Sequence, residues 1–206
     1  MATHPSTRTK PEAPRAGHAV WPDLAKGLGI VLVVTGHAWR GIAEAGLMPQ
    51  DALFHAVDDA IYAFHMPLFF FLSGWFFPQL LRREAPAGLL GRIGWRLFYP
   101  LCLWTYGFIA VKALAGSAAN APVAWSEMLR LPVPGYQHLW FLWALIVIQL
   151  VAVAVRPLAL RAMAPVMAAL LALACLLYLG DLLPPSGIFN GAERSAPFFF
   201  LGALLG

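Results

Sequence analysis

A cation and a histidine stand eleven residues apart in an otherwise apolar run, Asp23-Leu-Ala-Lys26-Gly-Leu-Gly-Ile-Val-Leu-Val-Val-Thr-Gly-His37. At about 100° per residue, eleven steps close three helical turns with a remainder of roughly 20°, so both side chains fall on nearly one face. At 1.5 Å per residue they lie about 16 Å apart along the axis. In a helix that spans a bilayer, Lys26 then sits at one mouth and His37 deep inside. An ionisable group at that depth is costly to keep and marks a functional site. A neutral imidazole near its ordinary pKa takes a proton from a hydroxyl at neutral pH, so His37 reads as a general base. Gly36 beside it leaves room for a close approach by substrate or a neighbouring helix. Two plainer readings stand next to this one: Lys26 as a snorkelling interface anchor, and His37 as an interhelical hydrogen-bonding histidine.

The elements that must hold this pair are membrane helices. Of 206 residues, 60% are hydrophobic and only 12% charged, against about 25% charged in soluble domains. A soluble fold of this length could not hide so much apolar surface, and the expected class is an all-α, polytopic transmembrane bundle. Five full spans are expected, at about residues 24–42, 61–81, 97–114, 138–155 and 165–183. A sixth apolar run, 197–206, stops at Gly206 after ten residues, short of the ~20 a bilayer core needs. The chain therefore reads as cut within a helix. Residues 1–20, polar and Pro-rich, read as a disordered tail ahead of an uncleaved first span. The acidic segment 43–59 reads as a connection, with Pro67 near the start of the second span. Residues 116–135 read as an interfacial or re-entrant segment.

Lys and Arg counts set the orientation. The tail and the second-to-third and fourth-to-fifth loops hold nine: Arg8, Lys10, Arg15, Arg82, Arg83, Arg92, Arg96, Arg156 and Arg161; the opposite loops hold three, Arg40, Arg130 and Arg194. The N-terminus is thus expected on the cytoplasmic side, with Lys26 at the cytoplasmic mouth and His37 in the outer half. The net charge of +4 is spent on topology, and no nucleic-acid partner is expected. Cys102 and Cys175 lie inside apolar runs and support no disulfide framework. No metal-ligand spacing and no phosphate-cradling Gly-rich loop is present. Ser73 and Gly74 suit close helix packing. The phenylalanines around them read as packing or lipid-facing groups, and Trp140 and Trp143 as an outer aromatic belt with His138 interfacial beside them.

The run Asp23–His37 resembles the first-span signature of the membrane acyltransferase-3 family, in the branch of fucose 4-O-acetylase-like proteins and other polysaccharide O-acyltransferases. Phe64-His-Met-Pro-Leu-Phe-Phe-Phe-Leu-Ser-Gly74 resembles the family's second-span motif, His138-Leu-Trp-Phe-Leu142 its fourth-span entry, and Pro197-Phe-Phe-Phe-Leu-Gly202 a later one. The four matches come in order and cover most of the chain, so 21–206 reads as the N-terminal part of such a domain. The resemblance implies transfer of an acyl group, usually acetyl from acetyl-CoA, to a sugar hydroxyl. It pairs a basic residue with the first-span histidine, here Lys26 and His37, as the expected catalytic residues. It also implies an Arg-x-x-Arg pair at the start of the third span; this chain has Arg92-Ile-Gly-Trp-Arg96, one residue longer.

Asp23, His65, Arg92 and Arg96 are the expected substrate-binding residues. His65, at a depth similar to that of His37, would orient substrate, or else is an interfacial histidine. The arginines would hold CoA phosphates, or else serve topology and anionic-lipid binding. No bound cofactor is expected; acetyl-CoA or another acyl-CoA is the donor substrate. The expected partners are membrane lipid and a glycan or lipid-linked sugar acceptor, in a bacterial cytoplasmic (inner) membrane. Two rival functions fit the same residues: a multi-spanning transporter or polysaccharide exporter with His37 as proton relay, and a truncated, non-catalytic membrane protein.

Overall fold

A chain this apolar satisfies its backbone N–H and C=O groups most completely within helices, and helices are what it forms. The computed structural model describes residues 20–119, 122–183 and 187–206; the tail expected over 1–20 lies outside them up to residue 19. In chain order the helices are α1 (Trp21–Glu44), α2 (Ala52–Arg83), α3 (Pro86–Ile93), α4 (Tyr99–Ala115), α5 (Trp140–Ala154), α6 (Arg156–Arg161), α7 (Met163–Leu179) and α8 (Ala192–Leu205). A π turn, Gly94–Phe98, joins α3 to α4, and a short 3-10 turn, Gln137–Leu139, opens α5. Among the described residues there is no strand. In the segment 116–135 the described residues include 3-10 turns at Gly116–Ala118 and Trp125–Leu129.

Among the described residues, two helical stretches, Ala52–Arg83 and Pro86–Ala118, are long and apolar enough to cross a membrane; Trp140–Ala154 and Met163–Leu179 are apolar but shorter. Helix α1 is not one of the two, although it has 24 residues. Its apolar run is interrupted by Lys26, His37 and Arg40, the groups that make it chemically interesting.

Helix α2 differs from its expected form. It begins at Ala52, well ahead of residue 61, because Asp51 caps it: the Asp51 carboxylate accepts the backbone N–H of Phe54 at 2.9 Å. The acidic segment is therefore half helical, and Asp58 and Asp59 ride on α2. Pro67 falls near the middle of this 32-residue helix, with Pro78 one further interruption. Each proline removes one N–H from the helical ladder.

Small residues set how the helices meet. The core gathers around α8, which packs against α2, α5 and α7 through Phe70, Phe77, Ile148, Met167 and Phe199. Gly74 of α2 faces the backbone of α8 at Phe199, and Gly202 of α8 faces the backbone of α2 at Phe71; a Cβ on either would collide with main chain. Helix α1 lies along α2 on a stripe whose buried members are Pro22, Gly29, Gly36 and Ala43, seven residues apart. A Cβ on Gly29 would stand 2.7 Å from the Phe69 ring, and one on Gly36 3.1 Å from Ile61 and 3.2 Å from the Tyr62 ring. Those contacts, with Trp21 against Trp75, run the two helices antiparallel. The start of α1 therefore meets the end of α2, and the end of α1 meets its start.

Candidate functional site

Gly36 brings the Tyr62 ring close to the α1 backbone, and the next residue, His37, turns into the space beyond it. The His37 ring meets Tyr62 edge-on at 6.5 Å between centroids, and His138 at 5.3 Å with the planes at 72°. His138 comes from the turn that opens α5, where Leu139 is buried. Phe108 of α4 packs edge-on against the His138 ring at 4.6 Å. One turn along α2 from Tyr62, His65 is buried and its ring lies 4.8 Å from the Tyr62 ring. The His65 Nδ1 bonds the Ile61 carbonyl at 2.6 Å. A carbonyl only accepts, so Nδ1–H donates and Nε2 is left as the acceptor of the neutral ring. Three imidazoles and a phenol from α1, α2 and the α5 entry thus share one end of the bundle.

A charged clamp holds that end together. Arg40, one turn beyond His37, donates to both carboxylate oxygens of Asp58, each at 2.6 Å. The same guanidinium lies over the Tyr62 ring at 3.5 Å from its centroid. Asp58 is buried and Arg40 partly exposed, so this is a bidentate, charge-assisted pair that is still reached by solvent on the arginine side. Trp39 adds a hydrogen bond from its indole N–H to the Phe54 carbonyl at 3.3 Å.

The opposite end is cationic. Lys26 pairs with Asp23 at 3.4 Å and lies 5.1 Å over the Phe76 ring, with both charged groups half exposed. Arg82 and Arg83 close α2. Arg92 forms a fork with Glu84 through Nε and Nη2, and Arg96 is close enough to Glu84 to reinforce the field there. The Arg92 hydrogen bonds hold the Glu84 carboxyl below the usual carboxylate range. The π turn Gly94–Phe98 contains Arg96 and starts two residues after Arg92. Arg156 reaches the same corner, its Nε donating to the Leu81 carbonyl at 2.8 Å.

Of the residues expected from sequence, His37 and His65 come together across Tyr62, Lys26 joins Asp23, and Arg92 pairs with Glu84, with Arg96 one turn further on. Lys26 and His37 stay at opposite ends of α1, as their spacing requires. Ser73 accepts a hydrogen bond from Gln149 Nε2 at 3.3 Å, a packing role between α2 and α5. His138, expected only as an interfacial residue, packs on His37. Tyr62, Arg40 and Asp58 were also missed. The signals were present: His138 heads the His-Leu-Trp-Phe-Leu motif, and Arg40 follows His37 by one turn in an apolar helix. Among the described residues no group of three or more His, Cys, Asp and Glu is arranged to hold a metal ion.

The arrangement sets an imidazole able to act as a general base at one end of α1 and a group of cations at the other. The model of the acyltransferase-3 family, described as an acyltransferase domain, matches residues 19–206. The chain belongs to that family. The four motifs read from the sequence imply the same membership, and the family is membrane-integral. Among curated proteins, the nodulation protein NolL of Mesorhizobium japonicum is 30% identical over 125 residues, 59% of this chain and 32% of the relative. The nodulation protein NolL of Sinorhizobium fredii is 30% identical over 131 residues, 60% of this chain and 33% of the relative. The chain thus matches about a third of the length of these curated relatives. No solved structure matches it.

Proposed function

We propose that the complete protein is an integral-membrane O-acyltransferase that moves an acyl group, acetyl first among them, from an acyl-CoA to a carbohydrate hydroxyl. Its site lies in a bacterial cytoplasmic membrane, with the start of α1 facing the cytoplasm. The observation that carries this reading is His37, an imidazole inside an apolar helix of an acyltransferase family, packed against His138 and Tyr62. Acyl-CoA docks from the basic end, its phosphates near Lys26, Arg92 and Arg96, with Asp23 holding the Lys26 ammonium. Its flexible arm runs along α1 toward His37. The acceptor, a glycan or lipid-linked sugar, enters from the outer end, where His65 and Tyr62 orient it. His37 removes the hydroxyl proton as the oxygen attacks the thioester carbon.

The test is His37→Ala in the full-length protein, in membranes supplied with radiolabelled acetyl-CoA. Label transfer to membrane glycan falls by about 10²–10⁴-fold while the protein is present at parental level. Parental transfer in that variant overturns the proposal.

A further inference from the structure

We infer that His138 is the proton partner of His37: the proton that His37 takes from the acceptor hydroxyl reaches the departing thiolate by way of the His138 imidazole. The inference rests on the acyl-transfer reading above. The two rings come from positions a hundred residues apart in the chain and meet edge-on at 5.3 Å between centroids, near enough for one water to bridge their nitrogens. His138 is held there by the fold. Phe108 packs against its ring, Leu139 behind it is buried, and Trp140 is wedged against the backbone at Gly135 and against Gly191, where no Cβ fits.

The neighbouring charges limit the pair to one proton at a time. Facing it are Arg40 on α1, bound to Asp58, Tyr62 and His65 on α2, and Lys112 on α4, whose charge reaches His138. Two imidazolium ions side by side near Arg40 and Lys112 repel one another and both cations. A proton arriving on His37 therefore raises the tendency of the pair to release one. The reaction supplies the sink. The acceptor O–H bond breaks, with its proton going to His37, as the O–C bond forms at the thioester carbon. The tetrahedral species then collapses, the C–S bond breaks with its electron pair on sulfur, and the thiolate takes the proton from His138. Both imidazoles end neutral, and the proton has moved from hydroxyl to CoA thiol with no outside acid or base.

The experiment uses the full-length protein in membranes, with acetyl-CoA as donor and the glycan of the same membranes as acceptor. His138→Ala is expected to lower kcat by about 10²-fold with KM for acetyl-CoA within about twofold. Imidazole added to the buffer, filling the vacated space, recovers about tenfold and leaves the parent unchanged. A kcat near the parent's, a loss that imidazole does not relieve, or a loss carried by KM overturns the inference. If His138→Ala does not accumulate in the membrane, His138→Gln decides. It keeps size and polarity but cannot take up and release a proton, and parental kcat there overturns the inference too. Parental transfer in His37→Ala overturns instead the acyl-transfer reading beneath it.

Discussion

Around Lys26 the neighbours come from its own helix and one ring of α2: Asp23 and Phe76. Around His37 they come from α2 and the α5 entry, with α4 behind His138 and Arg40 clamped to Asp58 one turn away. The two residues share a face of one helix and both are exposed, yet one end is cationic and the other is aromatic, with side chains from several helices around it. The contrast separates two kinds of requirement. A proton-transfer group must be held to within a fraction of an ångström, because misplacement costs rate steeply. A phosphate-holding cation acts over a longer range and shares its work with other cations. On the proposed function, the convergence of helices marks the chemical end better than the presence of charge does.

The strongest way to break the aromatic end without touching an imidazole is Asp58→Asn. Asparagine keeps one acceptor oxygen but no charge, so the Arg40 fork opens and Tyr62 loses the cation that covers it. Losing one charged hydrogen bond of this kind costs about 1–3 kcal/mol of local stability. Acyl transfer is expected to fall by about tenfold, in kcat and not in KM for acetyl-CoA, as Tyr62 and His37 drift from their set geometry. Kinetics in membranes with protein level held equal check this. A loss carried by KM alone would mean the clamp serves the donor, and the two ends are not separate.

At the cationic end, Lys26→Ala is expected to raise KM for acetyl-CoA by about three- to tenfold and to leave kcat within about twofold, since removing one of several point charges weakens uniform binding. Lys26→Arg keeps the parental values. An equal loss of kcat in Lys26→Ala would place Lys26 in the chemical step and erase the contrast.

The fold was legible where periodicity and size carry it. The apolar runs became helices, and Gly36 and Gly74 marked close approaches because only a missing side chain admits a ring or a backbone there. The start of α2 was not legible from hydropathy, because Asp51 caps a stretch whose acidic residues resemble a loop. For the site, His37 and His65 stood out as ionisable groups in apolar helices. His138 did not, since a histidine at a helix entry beside two tryptophans looks the same whether it faces lipid headgroups or another imidazole. Only the α5 packing, set by contacts far apart in sequence, decides that. Arg40 and Asp58 were hidden for the same reason: each is an ordinary loop-side charge until α1 and α2 are antiparallel.

The finest distinction concerns Glu84, which ties up Arg92 at the cationic end. Its carboxyl pKa is lowered in the folded chain by the Arg92 hydrogen bonds. A lowered acid contributes stability that is present above the unfolded carboxylate value and is lost as pH falls through the folded one. The protection of the Leu89 and Ile93 amides, the buried residues of α3, against hydrogen exchange, taken relative to the intrinsic rate at each pH, should therefore fall as pH drops into that acid window, and Glu84→Gln should abolish that fall. The functional consequence has the opposite sign. If Arg92 helps hold donor phosphates, Glu84 competes with them for the same fork, so Glu84→Gln at neutral pH lowers KM for acetyl-CoA by about twofold while Lys26→Ala raises it. A raised KM in Glu84→Gln would show that the ion pair positions Arg92 for the donor instead of withholding it. An unchanged KM would assign Arg92 to the corner between α2 and α3 alone and leave Lys26 and Arg96 as the donor's cations.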